Sequence, residues 1–111
     1  MSGFGGANMG KMVKQVQQMQ RKMAEMQAEL EVREFEAAAG GGMVKVKVNG
    51  RNEILDIAIN PEVVDPDDVE MLQDLILAAC NEAIKIAQDT VNEEMGKLSA
   101  SMKMPGMPGL F

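Results

Sequence analysis

The side chains in this sequence whose type and spacing suit them to chemistry are cationic. Lys11, Lys14, Arg21 and Lys22 fall among the first 24 residues, where there is no acid, and Gln18 stands between them. Ammonium and guanidinium groups arrayed this way neutralise phosphates and release condensed counterions, and a glutamine adds hydrogen bonds to backbone or base edges. Other chemistry finds little material. The chain has no histidine, and its single cysteine, Cys80, lies in the apolar run LILAACNEA, which would bury the thiol and raise its pKa. No nucleophile and base pair up. Asp65, Asp67, Asp68 and Glu70 resemble the start of a calcium loop, but no glycine at the sixth position or glutamate at the twelfth follows, and helix capping accounts for them. The Gly40–Gly42 run lacks the Lys-Ser/Thr ending of a phosphate-binding loop and suits a turn. Neither an enzyme nor a bound metal or cofactor is expected.

These cations stand against an acidic total. The net charge is −6, yet residues 1–24 hold +4, while residues 25–111 carry seven basic and seventeen acidic groups, or −10. The distribution matters more than the sum, because a partner meets one end of the molecule at a time. At 111 residues the chain holds one domain. Twelve methionines against three phenylalanines and no Trp or Tyr mean a core filled by flexible aliphatics and thioethers. One cysteine cannot staple the fold, which fits a reducing cytosol. The opening MSGFGGANMG lacks the charged start and greasy middle of a signal peptide, and no run approaches the roughly 20 apolar residues of a membrane span. A cytoplasmic protein with no membrane association and no small-molecule substrate is expected.

The element that must position the cations runs from about Asn8 to Glu31. Met9, Met12, Val16, Met19, Met23, Met26 and Leu30 recur at alternating spacings of three and four, one narrow apolar seam on a helix with Asn8 as its cap. Such a seam suits a partner helix better than a broad core. With the seam as positions a and d, Lys11, Lys14, Gln18 and Arg21 form a ridge facing away from it, with Lys22 beside them. The competing reading is an ordinary solvated helix face. Val32–Ala38 reads as a strand, and Met43–Val48 alternates Val44, Val46 and Val48 against Lys45 and Lys47. After the turn dipeptide Asn49-Gly50, Glu53–Ile59 returns with Leu55, Ile57 and Ile59 inward. Lys45 and Lys47, with Arg51 just past the turn, form a second basic group. Lysines on a wet strand face are common, and here they serve at most as secondary phosphate contacts.

Asp65 as cap and Pro66 at the first helical position begin a second long helix reaching about Leu98. Its apolar stripe starts as Val69, Leu72, Ile76, Ala79, Ala83 and Ile86. It then rotates to Ile84, Ala87, Val91, Met95 and Leu98, so the front half should cover the sheet and the rear half should meet the first helix. The division expected is a flexible start over 1–7, one domain over 8–98 and a mobile Met/Pro/Gly tail over 99–111. The fold class is α+β: a long N-terminal helix, a three-stranded antiparallel sheet and a long C-terminal helix. About 90 folded residues with projecting helices leave much apolar surface wet, so an intertwined or sheet-sharing homodimer with protruding helical arms is expected.

Several strings, in order, resemble one family. MGKMVKQVQQMQRKMAEMQAEL, GMVKVKVNG, ILDIAINPEVV, DPDDVEMLQDLILAACNEA and MKMPGMPGLF together are similar to the YbaB/EbfC nucleoid-associated DNA-binding proteins. The resemblance runs over nearly the whole chain. It implies a small bacterial homodimer whose paired helices protrude from a shared sheet and grip double-stranded DNA in the cytoplasm, at the nucleoid, with no catalytic activity and a role in nucleoid organisation and gene regulation. Basic residues common in the rear half of that family's second helix are sparse here: IKIAQDTVNEEMGKL offers Lys85 and Lys97 against Asp89, Glu93 and Glu94. DNA contact from that helix is therefore not carried over. The residues expected to touch DNA are Lys11, Lys14, Gln18, Arg21, Lys22, Lys45 and Lys47. The alternative is a protein-interaction adaptor that uses the methionine seam and tail.

Overall fold

The computed structural model describes residues 2–101, with side chains from Met9 onward. The chain forms helix α1 (Ser2–Val32), strands β1 (Glu34–Ala39), β2 (Val44–Asn49) and β3 (Ile54–Ile59), a short 3-10 turn (Pro61–Val63) and helix α2 (Val69–Ser101). The strands make one antiparallel sheet in the order β1-β2-β3. This is the α+β architecture that the hydrophobic periods dictate.

Helix α1 starts at Ser2, six residues before the cap expected at Asn8. Once nucleated, a helix gains one hydrogen bond per added residue, and each glycine costs only about 1 kcal/mol relative to alanine. Asn8 is therefore absorbed rather than capping, and helix covers residues 2–7, which were expected to be flexible. At the other end Val32 closes the helix instead of opening the strand. The Arg33 amide donates to the carbonyls of Glu29 and Leu30, and β1 follows after that single residue.

Gly40, Gly41 and Gly42 have φ of 63°, 68° and 93°, a left-handed run that strongly favours glycine, and it turns β1 into β2. The second turn is longer than the two residues anticipated from Asn49-Gly50. The Asn52 amide donates to the Asn49 carbonyl, and Asn52 itself takes φ 63°, giving a three-residue loop. The Asn49 side chain secures it, accepting from the amides of Arg51 and Glu53 and donating to Glu53 Oε1 at 2.8 Å. The pairing then slips at Lys47/Val48, so Val48 faces Ile54 rather than Leu55. Ile54, Ile57 and Ile59 therefore share the face of Val48, Val46 and Val44.

Val44, Val46 and Val48 are fully buried, and so are Ala79, Ala83 and Ala87 on α2. Alanine at those positions lets the helix backbone sit close on the β-branched central strand, and each valine contributes roughly 1.5–3 kcal/mol. Leu72, Leu75, Ile76, Cys80, Ile84 and Ile86 pack around this centre. The front half of α2 lies over β1 and β2. It leaves β3 uncovered, so Leu55, Ile57 and Ile59, expected to be inward, stand exposed with Ile54. The reason is width: one helix covers about two strands of a sheet spaced roughly 4.8 Å apart.

The start of α2 also differs from expectation. Asp65 closes a tight turn with the amide of Asp67, and Asp68 caps the helix by accepting from Met71 N at 3.2 Å. Beyond the sheet the rear half of α2 meets α1, with Val91 and Met95 beside Gln27 and Leu30. It ends at Ser101, so residues 99–101 are helical, and the remainder of the expected tail lies outside the described residues. The resulting rod measures 82 × 25 × 16 Å with a radius of gyration of 22.2 Å, against about 13 Å for a compact domain of about 100 residues.

Candidate nucleic-acid interface

The rod shape is due chiefly to α1, whose 31 residues extend about 46 Å. Leu30 is buried to 2% exposure where the helix leaves the sheet, and Met26 is half-buried against α2. Farther out the seam is mostly bare, with Met19 half-buried. Met23, Val16, Met12 and Met9 are 42%, 47%, 55% and 66% exposed, because the described part of α2 ends level with Met23. The helix therefore projects as an arm.

Its cations sit on this arm. At 100° per residue, Lys11, Lys14, Gln18, Arg21 and Lys22 occupy an arc of about 100°, centred well away from the seam, and span about 17 Å along the axis. All five are exposed. Among the described residues none of these cations forms a salt bridge, whereas Lys47, Lys85 and Lys97 are each paired with an acid. Glu25, on the same arc one turn farther in, marks where the positive ridge ends. A face of this kind can follow a line of phosphates without giving up internal pairs.

The second basic group lies elsewhere. Lys45 and Lys47 are on the outer face of the sheet, opposite α2, and the fold does not bring them to the α1 ridge. Lys47 lies between Glu36 and Asp56 on the neighbouring strands and binds Glu34 at 3.3 Å, so local acids already offset its charge. Lys45, opposite Ala38 and Ala58, is less encumbered. On α2, Lys85 is tied to Asp89 at 2.7 Å. That hydrogen bond and the carboxylate's charge push its pKa up against a slight lowering by burial.

Two arginines near the base of the arm escape a search for helical spacing. Arg33 follows α1 directly and stacks its guanidinium 5.5 Å from the Phe35 ring. Arg51, in the β2–β3 turn, lines a groove with Gln27, Leu30, Glu31, Val91 and Met95. Arg33 and Arg51 are far apart in sequence, and only the docking of the turn on the end of α1 brings them to the same junction.

Among the described residues no helix is long and apolar enough to cross a membrane, and no three acids or cysteines cluster as metal ligands. The fold has a solved counterpart: the crystal structure of an uncharacterized protein from Helicobacter pylori superimposes with a TM-score of 0.60 over 84% of this chain and 94% of that one, at 24% identity. Closer sequence relatives carry a functional name. A nucleoid-associated protein of Pelotomaculum thermopropionicum is 60% identical over 102 residues, 92% of this chain and 97% of that protein. One from Clostridium novyi is 59% identical over 103 residues, 93% of this chain and 90% of that protein. Residues 5–102, which take in the arm, the sheet and the whole of α2, match the YbaB/EbfC DNA-binding family, and the chain belongs to that family.

Proposed function

We propose that the protein binds duplex DNA as a homodimer, mainly through phosphate contacts from Lys11, Lys14, Gln18, Arg21 and Lys22 on α1. Lys45 and, to a lesser degree, Lys47 serve as secondary contacts. The observation that carries the reading is the exposed cationic arc, without ion pairs among the described residues, on a helix that projects from an acidic body. Distance is what lets +4 act against a total of −6: charges more than a Debye length away, about 8–10 Å at physiological salt, are largely screened. Glu25 stands one turn from Arg21 and shares a groove with Lys22, so this separation serves Lys11 and Lys14 best.

The dimer rests on β3. It is an edge strand with one row of backbone groups unpaired, and it leaves three isoleucines wet beside a fully buried valine strand. A second copy laid against β3 would satisfy both and would hold two arms in one particle, doubling the phosphates reached. Contacts of this type carry little sequence information, which suits a cytoplasmic protein that organises the nucleoid and affects genes broadly. The reading includes no catalytic step.

Lys14→Glu with Arg21→Glu tests it by gel shift. The wild-type chain should lose affinity steeply with salt, with log K falling by about 0.9 per phosphate neutralised. The double variant should lose binding while keeping its fold and its oligomeric mass, and unchanged affinity would overturn the proposal. The bare methionine seam is the observation favouring a second reading, a protein-interaction adaptor. That reading requires no duplex binding even near ~50 mM salt, where electrostatic contacts are strong.

A further inference from the structure

The outer half of α1 has two opposite faces. Met9, Met12, Val13 and Val16, at spacings i, i+3, i+4 and i+7, are each 47% exposed or more and form one apolar patch about 100° wide. Half-buried Met19 marks its inner limit. The patch centre lies about 180° around the axis from the centre of the arc of Lys11, Lys14, Gln18, Arg21 and Lys22, and none of those cations comes within about 130° of it. We infer that the patch is a self-contact: the arms of two copies pair back to back through it, which turns their cationic ridges outward onto two separate duplexes. The contact itself does not depend on DNA binding, whereas the bridging of duplexes rests on the phosphate contacts proposed above.

Charge and area say what covers the patch. Its borders are Gln15, Gln17 and Gln20, exposed and uncharged. An unlike partner is steered and selected by charges at the rim of a contact, and this rim offers none. Two copies carry the same +4 over residues 1–24, so they can touch only where those charges are kept apart. Back-to-back pairing does this, because the two ridges then stand on the far sides of two helices, about 20 Å from each other and roughly twice the Debye length.

Four side chains exposed to this degree make an apolar patch of a few hundred Å², the size that marks an interaction site on a monomer. A stable dimer buries about 800 Å² on each partner. The patch therefore supports a weak contact in free solution. It forms readily where copies are held side by side, as along a duplex, because such confinement raises the effective concentration toward the order of mM.

A straight helical patch also suits a two-fold contact, in which the same residues meet from both sides. Methionine shapes itself to another methionine without a preformed socket, so Met9 and Met12 need no complementary groove. Single arms would coat one duplex, and paired arms would join two.

The test compares the full wild-type chain with Met12→Gln/Val16→Gln, glutamine being an uncharged residue that keeps the helix. In light scattering without DNA, the wild-type mass should double as concentration rises from micromolar to millimolar, and the variant should stay at the lower mass. On beads carrying one duplex, the wild type should capture a second, free duplex, and capture by the variant should fall at least about fivefold. The variant's gel-shift affinity for a single duplex should stay within about twofold of wild type, since its cations are untouched. A wild-type mass that does not rise, or a variant mass that rises with it, would overturn the self-contact whatever happens with DNA. Equal capture by the two proteins would overturn the bridging. A variant that loses single-duplex affinity would overturn the proposal too, because the patch would then face DNA and not another copy. If the wild type binds no duplex at all, the DNA reading and the bridging fall together, and the mass alone decides the self-contact.

Discussion

Gly50→Ala probes how the arm is joined to the body. A Cβ at this position would strike the Leu30 carbonyl oxygen, lie 2.6 Å from its carbonyl carbon and come within 3.2 Å of the Glu31 Cα. All three are backbone atoms in the last turn of α1, so no side chain can swing aside. The helix end must lift from the turn, or the hairpin must tilt. Gly50 is not among the residues with positive φ, so alanine pays no conformational penalty there and the cost comes from collision alone. Overpacking of a tight contact costs about 1–3 kcal/mol. Lifting the helix also exposes part of Leu30, now 2% exposed, whose full burial contributes roughly 1.5–3 kcal/mol. A net loss of about 2–3 kcal/mol is expected, which lowers the melting midpoint by about 10 °C or more. Thermal and urea unfolding followed by far-ultraviolet circular dichroism measure it. Gly10→Ala, where an added Cβ meets nothing within 4 Å, serves as the control. A Gly50→Ala protein as stable as wild type would refute the conclusion that the β2–β3 turn seats the arm.

Three further outcomes are expected. Gly96→Ala, in the interior of α2 with open space around the new methyl, should stabilise the protein by about 0.5–1 kcal/mol in urea unfolding, as should Gly10→Ala; a loss in either would contradict the helix placement. Asp68→Ala removes the acceptor for Met71 N and should cost about 1 kcal/mol, whereas Asp65→Ala should cost less, because Asp65 braces the preceding turn and not the helix. Ile57→Lys places a charge on the uncovered edge of the sheet, where the isoleucine is 42% exposed in a single chain. Light scattering should show the mass fall to that of one chain with little loss of helix, and an unchanged mass would remove β3 from the proposed dimer contact.

The elements themselves were legible in the residues. The inner end of the three-four spacing, at Met26 and Leu30, the alternation of Val44, Val46 and Val48, and the rotated stripe from Ile84 to Leu98 each match a face that the fold uses. Local periodicity suffices there because it records which side of an element is kept from water. The cationic arc was legible for the same reason, since a helix turns consecutive spacing directly into a face.

What lay beyond the sequence depends on contacts between distant segments. The bulge after Lys47 moves Ile54 into the place alternation assigned to Leu55, and it follows from a three-residue loop that the Asn49 side chain selects over a two-residue one. That β3 remains uncovered depends on the width of α2 against the width of three strands, which no window along the chain contains. The offsetting of Lys47 by Glu34, Glu36 and Asp56 comes from strand register, and the junction of Arg33 with Arg51 comes from Gly50 meeting the end of α1. The sequence by itself determined the elements, their apolar faces and the positive arm, all set by neighbours within a turn or a strand. Tertiary structure alone decided which faces were covered and which charges were left free, because burial and pairing depend on residues that folding brings together from far apart in the chain.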